Sequence, residues 1–223
     1  MLPSSTVENS LKAIHHGQSA LPKGQRLLPM GQIAAALSVT PGTATTMIKA
    51  LAESGLVEYE PYSGVRLTKA GDKLAALVLR RHRLVELFLV QVMGMSWDEV
   101  HDEAEQLEHV VSDRLIDRID EMLGRPTHDP HGDPIPDSRG AIAHRQLESL
   151  LTCPMNTPLR VTRVADQDPV FLRFIEQNNL KPGQPIAVEA RDPAADAVLL
   201  RGRDRALTIG TRAASKLLVE IAT

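Results

Sequence analysis

Residues 101–109 read His101-Asp102-Glu103-Ala104-Glu105-Gln106-Leu107-Glu108-His109. On a helix, side chains three and four positions apart share a face. Glu105, Glu108 and His109 therefore converge, and His101 lies one turn before Glu105. Upstream, His82 and Glu86 are again four apart. Two helices facing each other would present three carboxylates and three imidazoles with no thiolate. Such a set suits Mn²⁺ or Fe²⁺ and also admits Zn²⁺, which general affinity favours over both. The competing reading is a solvated acidic helix face, because Glu-x-x-Glu-His alone is a weak pattern. His128, Asp129, His131 and Asp133 fall in a Pro/Gly-rich stretch and read as loop residues rather than ligands.

A second constellation reads Thr40-Pro41-Gly42-Thr43-Ala44-Thr45-Thr46-Met47-Ile48-Lys49. Thr40 suits an N-cap and Pro41 the first helical position. With Met47, Ile48 and Leu51 turned to a core, Thr43, Thr45, Thr46 and Lys49 face outward. Small hydroxyl side chains let a helix approach base edges, and Lys49 adds a phosphate contact. Thr40, Pro41 and Gly42 lead that helix in. A following turn offers Tyr62, Ser63 and Arg66, and the loop before it Lys23 and Arg26. A well-capped surface helix would look similar; the hairpin after it favours DNA.

The elements around these residues give a topology. Helical spacing of Val7, Leu11 and Ile14 predicts a helix over 6–16, and Ile33, Ala34 and Leu37 a second over 30–37. A third follows Thr40 and stops at Gly55. Strands at 56–60 and 65–68 flank the turn at 61–64. This order is that of a winged helix-turn-helix. A long helix is expected from Lys69 to about Val92. A capping-box pattern at Ser96–Glu99 opens a helix over 97–109, and another covers about 112–123. The Pro-, Gly- and Asp-rich stretch 124–140 marks a boundary. Beyond it the period changes to alternation at 159–164. A helix at 169–178 and strands near 186–190, 197–201 and 206–209 make a small β-rich, barrel-like domain.

Composition agrees with this division. Net charge is −3, yet residues 1–81 hold nine Lys/Arg against five Asp/Glu, residues 82–139 five against fourteen, and the remainder eleven against nine. The basic first segment can meet phosphate and the acidic middle a cation. Aromatics make up only 3%, so the core is aliphatic. No apolar run reaches the roughly 18 residues of a membrane span, and the N-terminus lacks a secretory signal's apolar stretch. One cysteine, Cys153, excludes an intrachain disulfide and fits a reducing cytoplasm.

The chain resembles the family of the diphtheria toxin repressor and the manganese transport regulator. The resemblance is carried by Arg81-His82-Arg83-Leu84-Val85-Glu86, by Val100 through Asp113, and by Pro130-His131-Gly132-Asp133-Pro134-Ile135-Pro136. It implies a mainly α fold with a smaller β part in three domains. These are a winged helix-turn-helix DNA-binding domain (1–73), a helical dimerisation and metal-binding domain (74–140) and an SH3-like, FeoA-like β-barrel domain (141–223). It implies a cytoplasmic homodimer, not an enzyme, that binds a double-stranded DNA operator when loaded with metal and represses metal-homeostasis genes. The carry-over places a primary metal site at Glu105, Glu108 and His109, completed by Asn9 of the first helix. An ancillary site falls at His82, Glu86 and His101, with Asp168 from the last domain. Glu rather than Cys at position 105 favours Mn²⁺ over Fe²⁺. Leu84, Leu87, Phe88, Ile119 and Leu123 are candidate packing or dimer residues.

Two rival functions follow from the same residues. A metal-dependent hydrolase could use the His/Glu cluster, although no nucleophile motif or phosphate-binding glycine loop accompanies it. A winged-helix regulator without a metal switch would leave the acidic cluster as surface.

Overall fold

The computed structural model describes residues 4–22, 24–143, 145–202 and 205–222. Lys23, named above as a possible phosphate contact, lies outside them, whereas Arg26 is exposed. The contacts divide the chain into two compact units. The first comprises Met1–His82, Gln106–Asp113 and Pro136–Ile142; the second comprises Arg83–Glu105, Arg114–Ile135 and Ala143–Thr223.

In the first unit, α1 (Ser5–Ser19), α2 (Met30–Ala36) and α3 (Pro41–Glu53) precede β1 (Val57–Glu60) and β2 (Gly64–Leu67). Ser4 caps α1 through the Val7 amide, and Thr40 caps α3 through the Thr43 amide. In α3 the buried side chains are Ala44, Ile48 and Leu51, one stripe at helical spacing. Ala44 takes an inward place that the sequence reading gave to Met47, which is half-buried. Ile48 and Leu51 join Leu11, Ile14, Leu28, Ile33, Val57, Val65 and Ala75 in one aliphatic core. β1 and β2 pair antiparallel, Val57 opposite Leu67 and Glu60 opposite Gly64. Leu28 adds a bridge to Val65 with N–O distances of 2.8 and 3.0 Å. Gly64 is required there: its φ is +142°, and a Cβ would stand 2.5 Å from the Leu28 carbonyl oxygen.

α4 (Lys69–Gln91) is the long helix expected, and α5 (Val100–Leu107) and α6 (Asp113–Met122) follow it. α5 is shorter than expected: it begins three residues later and stops at Leu107, which leaves Glu108 and His109 in the turn beyond it.

The second unit carries a six-stranded antiparallel sheet of order β3-β8-β4-β5-β6-β7. Its strands are β3 (Glu148–Ser149), β4 (Leu159–Val164), β5 (Pro185–Asp192), β6 (Ala197–Arg201), β7 (Ala206–Gly210) and β8 (Leu217–Ile221). Two helices, α7 (Pro169–Gln177) and α8 (Thr211–Ala214), are inserted. Inward-facing Leu159, Val161, Val164, Val188, Val198, Leu200, Leu217 and Val219 pack with Leu172, Ile175 and Trp97. The sequence reading missed β3, α8 and β8. β8 lies between β3 and β4, and its apolar alternation Leu217-x-Val219 is too short to stand out.

Candidate metal centres and DNA-reading face

In the first unit, α1, the middle of α4 and the turn after α5 bring six side chains together. Glu108 is fully buried, and each of its oxygens has a partner. Lys12 Nζ donates to Oε1 at 2.7 Å, and His82 Nδ1 lies 2.6 Å from Oε2. Burial works against the Glu108 charge, but the hydrogen bond from His82 and the charges of His82 and Lys12 outweigh it and hold its pKa below the ordinary value. Glu8 is 1% exposed. Its Oε1 accepts from Arg81 Nη2 at 2.6 Å, and its Oε2 lies 2.6 Å from His109 Nδ1.

The Glu8–His109 contact fixes a tautomer. A carboxylate can only accept, so Nδ1 carries the proton and Nε2 of a neutral ring carries the lone pair. That Nε2 is buried, makes no hydrogen bond, and lies 3.3 Å from Glu108 Oε1. Two acceptor atoms this close fit a shared cation, since ligands on one metal at about 2.1 Å stand about 3 Å apart. Glu8 therefore orients the imidazole from behind, as a supporting carboxylate does at many metal–histidine sites.

In the second unit, Glu86 of α4 is fully buried, with His101 Nδ1 of α5 at 3.2 Å from Oε1. His101 Nε2 lies 3.8 Å from Glu105 Oε1, one turn along α5. Asp129 and His131 come to the same place from the segment after α6. His131 Nε2 lies 2.9 Å from the Trp97 carbonyl oxygen, so Nε2 bears the proton and Nδ1 the lone pair. Nδ1 is buried with no hydrogen bond, 3.8 Å from Glu86 Oε2. Glu86, Asp129 and His131 offer ligand atoms within 4.8 Å of one another. Burial first, then the neighbouring Asp133 and Glu86 carboxylates, push the Asp129 pKa well above its ordinary value, and Arg83 offsets only part of this. Asp129 Oδ1 accepts from the backbone of His131 (2.8 Å) and Asp133 (2.9 Å), which folds the segment into a tight turn. Gly132 completes it with φ +86°, where a Cβ would stand 2.0 Å from the Thr162 carbonyl oxygen.

Glu108 and His109 lie in the first unit with His82, whose Nδ1 is 2.6 Å from Glu108 Oε2. Glu105 belongs to the second unit with His101 and Glu86. Asn9 is half-buried and its Oδ1 has no hydrogen-bond partner; Glu8 and Lys12, not Asn9, pair with Glu108 and His109. Asp168 is exposed and caps α7, accepting from the Phe171 amide at 2.9 Å, and joins no candidate metal cluster among the described residues. Sequence reasoning passed over Glu8, a lone acid in a short helix. It also set aside Asp129 and His131 because Pro/Gly-rich stretches usually run over the surface. The Asp-Pro-His-Gly-Asp-Pro run, with an Asx-turn acid and a glycine beside a histidine, was the available signal.

On α3, Thr40, Pro41, Gly42, Thr43, Thr46 and Lys49 are exposed and Thr45 half-buried. The Thr45 and Thr46 hydroxyls donate back to the Pro41 and Gly42 carbonyls at 2.8 and 3.1 Å, so their methyls and lone pairs are what the surface offers. Tyr62 stands fully exposed at the hairpin tip with φ +65°, beside exposed Ser63. Arg66 is tied to Glu58 across the hairpin, its Nε 2.6 Å from Oε2. It must exchange that partner to reach a phosphate.

Comparison with known proteins matches residues 4–65 to the N-terminal DNA-binding domain of iron-dependent repressors, 68–137 to their metal-binding and dimerisation domain, and 149–221 to the FeoA domain. The iron-dependent repressor IdeR of Mycobacterium leprae is 29% identical over 76% of this chain and 78% of its own. Matches to several other mycobacterial and corynebacterial repressors cover 46% of those proteins. A solved manganese-dependent transcriptional repressor in complex with manganese is 37% identical, with TM-score 0.86 over 97% of this chain and 100% of that one. The manganese regulator SloR is 30% identical, with TM-score 0.75 over the full length of both. With a helix-turn-helix and hairpin, two buried oxygen/nitrogen clusters and a FeoA-type sheet domain in the same chain, the protein belongs to the iron-dependent repressor family of metal-dependent, DNA-binding transcriptional repressors.

Proposed function

We propose that this chain is a Mn²⁺-responsive repressor of metal-homeostasis genes, acting as a homodimer on a double-stranded operator. One observation carries the metal half of the reading: His109 Nε2 and Glu108 Oε1 are buried 3.3 Å apart, and the ring's tautomer is fixed so that the nitrogen lone pair faces the oxygen. The donors are carboxylate and imidazole throughout, which suits Mn²⁺ and Fe²⁺ better than thiophilic ions.

Glu108 and His109 would hold one ion, with Glu8 orienting His109; Asn9 is a further candidate ligand. Glu86, His101, Asp129 and His131 would hold another in the second unit. A bound ion supplies cross-links between segments remote in sequence. Within the first unit, Glu8 and Lys12 of α1 already meet His109 and Glu108, so a ligand change there acts directly on the helix that packs under α2 and α3. Fixing that helix lowers the ordering cost of presenting α3 to a major groove. Thr40, Pro41, Gly42, Thr43, Thr45, Thr46 and Lys49 form the reading surface, with Tyr62, Ser63 and Arg66 on the hairpin. Exposed Leu115 and Met122, two turns apart on α6, with Val92 and Met93, supply apolar surface for a second copy. Among the described residues no helix is long and apolar enough to cross a membrane.

The test is binding of the purified protein to its own upstream DNA, in chelator and then with Mn²⁺, anaerobic Fe²⁺ or Zn²⁺. Binding that tightens with Mn²⁺ and reverses on chelation is the expected result. Equal binding in chelator and in every metal overturns the switch.

A further inference from the structure

The Glu8/Glu108 cluster is balanced by its own side chains. Two buried carboxylates, Glu8 and Glu108, face two buried cations, Arg81 and Lys12, each at 2.6–2.7 Å. Arg81 grips the side of Glu8 away from His109. Lys12 does not stand aside in this way: its ammonium sits on Glu108 Oε1, the oxygen toward which His109 Nε2 is aimed. The donor pair best placed for a divalent cation thus has a monovalent one beside it. Lys12 is 9% exposed, so water screens its charge poorly.

We propose that Lys12 is a resident competitor that sets the metal threshold of this site. The inference rests on the reading of Glu108 and His109 as ligands. For a divalent ion to take Glu108 Oε1, Lys12 Nζ must withdraw, or remain as a like charge a few ångströms away. Either course weakens binding relative to a neutral side chain at position 12. The site then fills only at higher metal concentration, and Glu108 meanwhile keeps a charge partner. Lys12 lies on α1, so its withdrawal also changes what ties α1 to the turn after α5.

The test is calorimetric Mn²⁺ titration of wild type, Lys12→Met, Lys12→Arg and Glu108→Ala, with thermal midpoints recorded in chelator and in Mn²⁺. Lys12→Met should tighten the Glu108-dependent step by about tenfold or more. Lys12→Arg, which keeps the charge, should show no such gain. In chelator Lys12→Met should melt below wild type, because Glu108 loses its cation, and Mn²⁺ should raise its midpoint by more than it raises wild type's. Lys12→Gln carries the same comparison if Lys12→Met does not fold. A Lys12→Met affinity equal to or weaker than wild type, with Glu108→Ala abolishing the step, overturns the competitor while leaving the site intact. A step that survives Glu108→Ala overturns the site, and this inference with it.

Discussion

The two buried clusters share a chemistry and differ in electrostatic construction. In the first unit, Glu8 and Glu108 are matched one for one by Arg81 and Lys12, and the Glu108 pKa is held low. In the second, burial and the crowding of Glu86, Asp129 and Asp133 push the Asp129 pKa well up, with Arg83 3.8 Å away as a partial offset. A cluster that neutralises itself gains little from an added cation until a resident one leaves. A cluster with a carboxylate surplus gains as soon as a cation arrives, because ligation relieves the mutual repulsion. On the proposed reading the second cluster would be the stronger metal site by charge, and the first, being tied to α1, the one coupled to the DNA-binding helices.

The largest effect is expected where that coupling is broken. Glu108→Ala removes the buried carboxylate that joins Lys12 and His82. It should cost about 3–5 kcal/mol of stability, as broken buried pairs do, readable by urea denaturation in chelator. It should also eliminate the Mn²⁺ response of DNA binding. His131→Ala should act on the other cluster, weakening the metal step assigned to Glu86 and Asp129 by about 10–100-fold. Two Mn²⁺ steps in wild type that become one in each variant, a different one each time, would sharpen the division; loss of the same step in both would erase it.

Smaller effects belong to the periphery. Lys49→Ala should weaken operator binding at every sequence alike and reduce the salt slope by about one, measured by titrations at several ionic strengths. Asp98 lies near the second cluster, hydrogen-bonded to Ser96 and to Arg173 Nη1 at 2.9 Å. The Ser96 bond, with help from Arg173 and against some burial, lowers its pKa below 3.8. A depressed folded value means that its stabilising contribution is present above about pH 4 and lost as pH falls through the lower folded value. Asp98→Asn should therefore melt below wild type at pH 7, and the gap should close toward pH 3.

Much of this organisation was legible in the sequence because it is periodic. The capped α3, the hairpin and α4 follow from local spacing, and the shift to alternation at 159 marked the sheet domain. Glu108 and His109 were found because they are close in sequence and chemically conspicuous. Glu8 was not, because its pairing with Arg81 and His109 joins positions far apart in the chain and no local rule places it. Asp168 illustrates the converse. Its type suited a ligand, but it precedes Pro169 at a helix start, where the backbone amide of Phe171 takes the carboxylate first. His131 looked like surface until the Trp97 carbonyl and the Asp129 turn showed it turned inward.

The most direct test is operator affinity of wild type and Glu108→Ala measured side by side from chelator to saturating Mn²⁺. The account predicts that wild type tightens steeply over the range in which it binds the ion, whereas Glu108→Ala stays at the weak, chelated level throughout. A Glu108→Ala protein that still folds and tightens with Mn²⁺ as wild type does would contradict it.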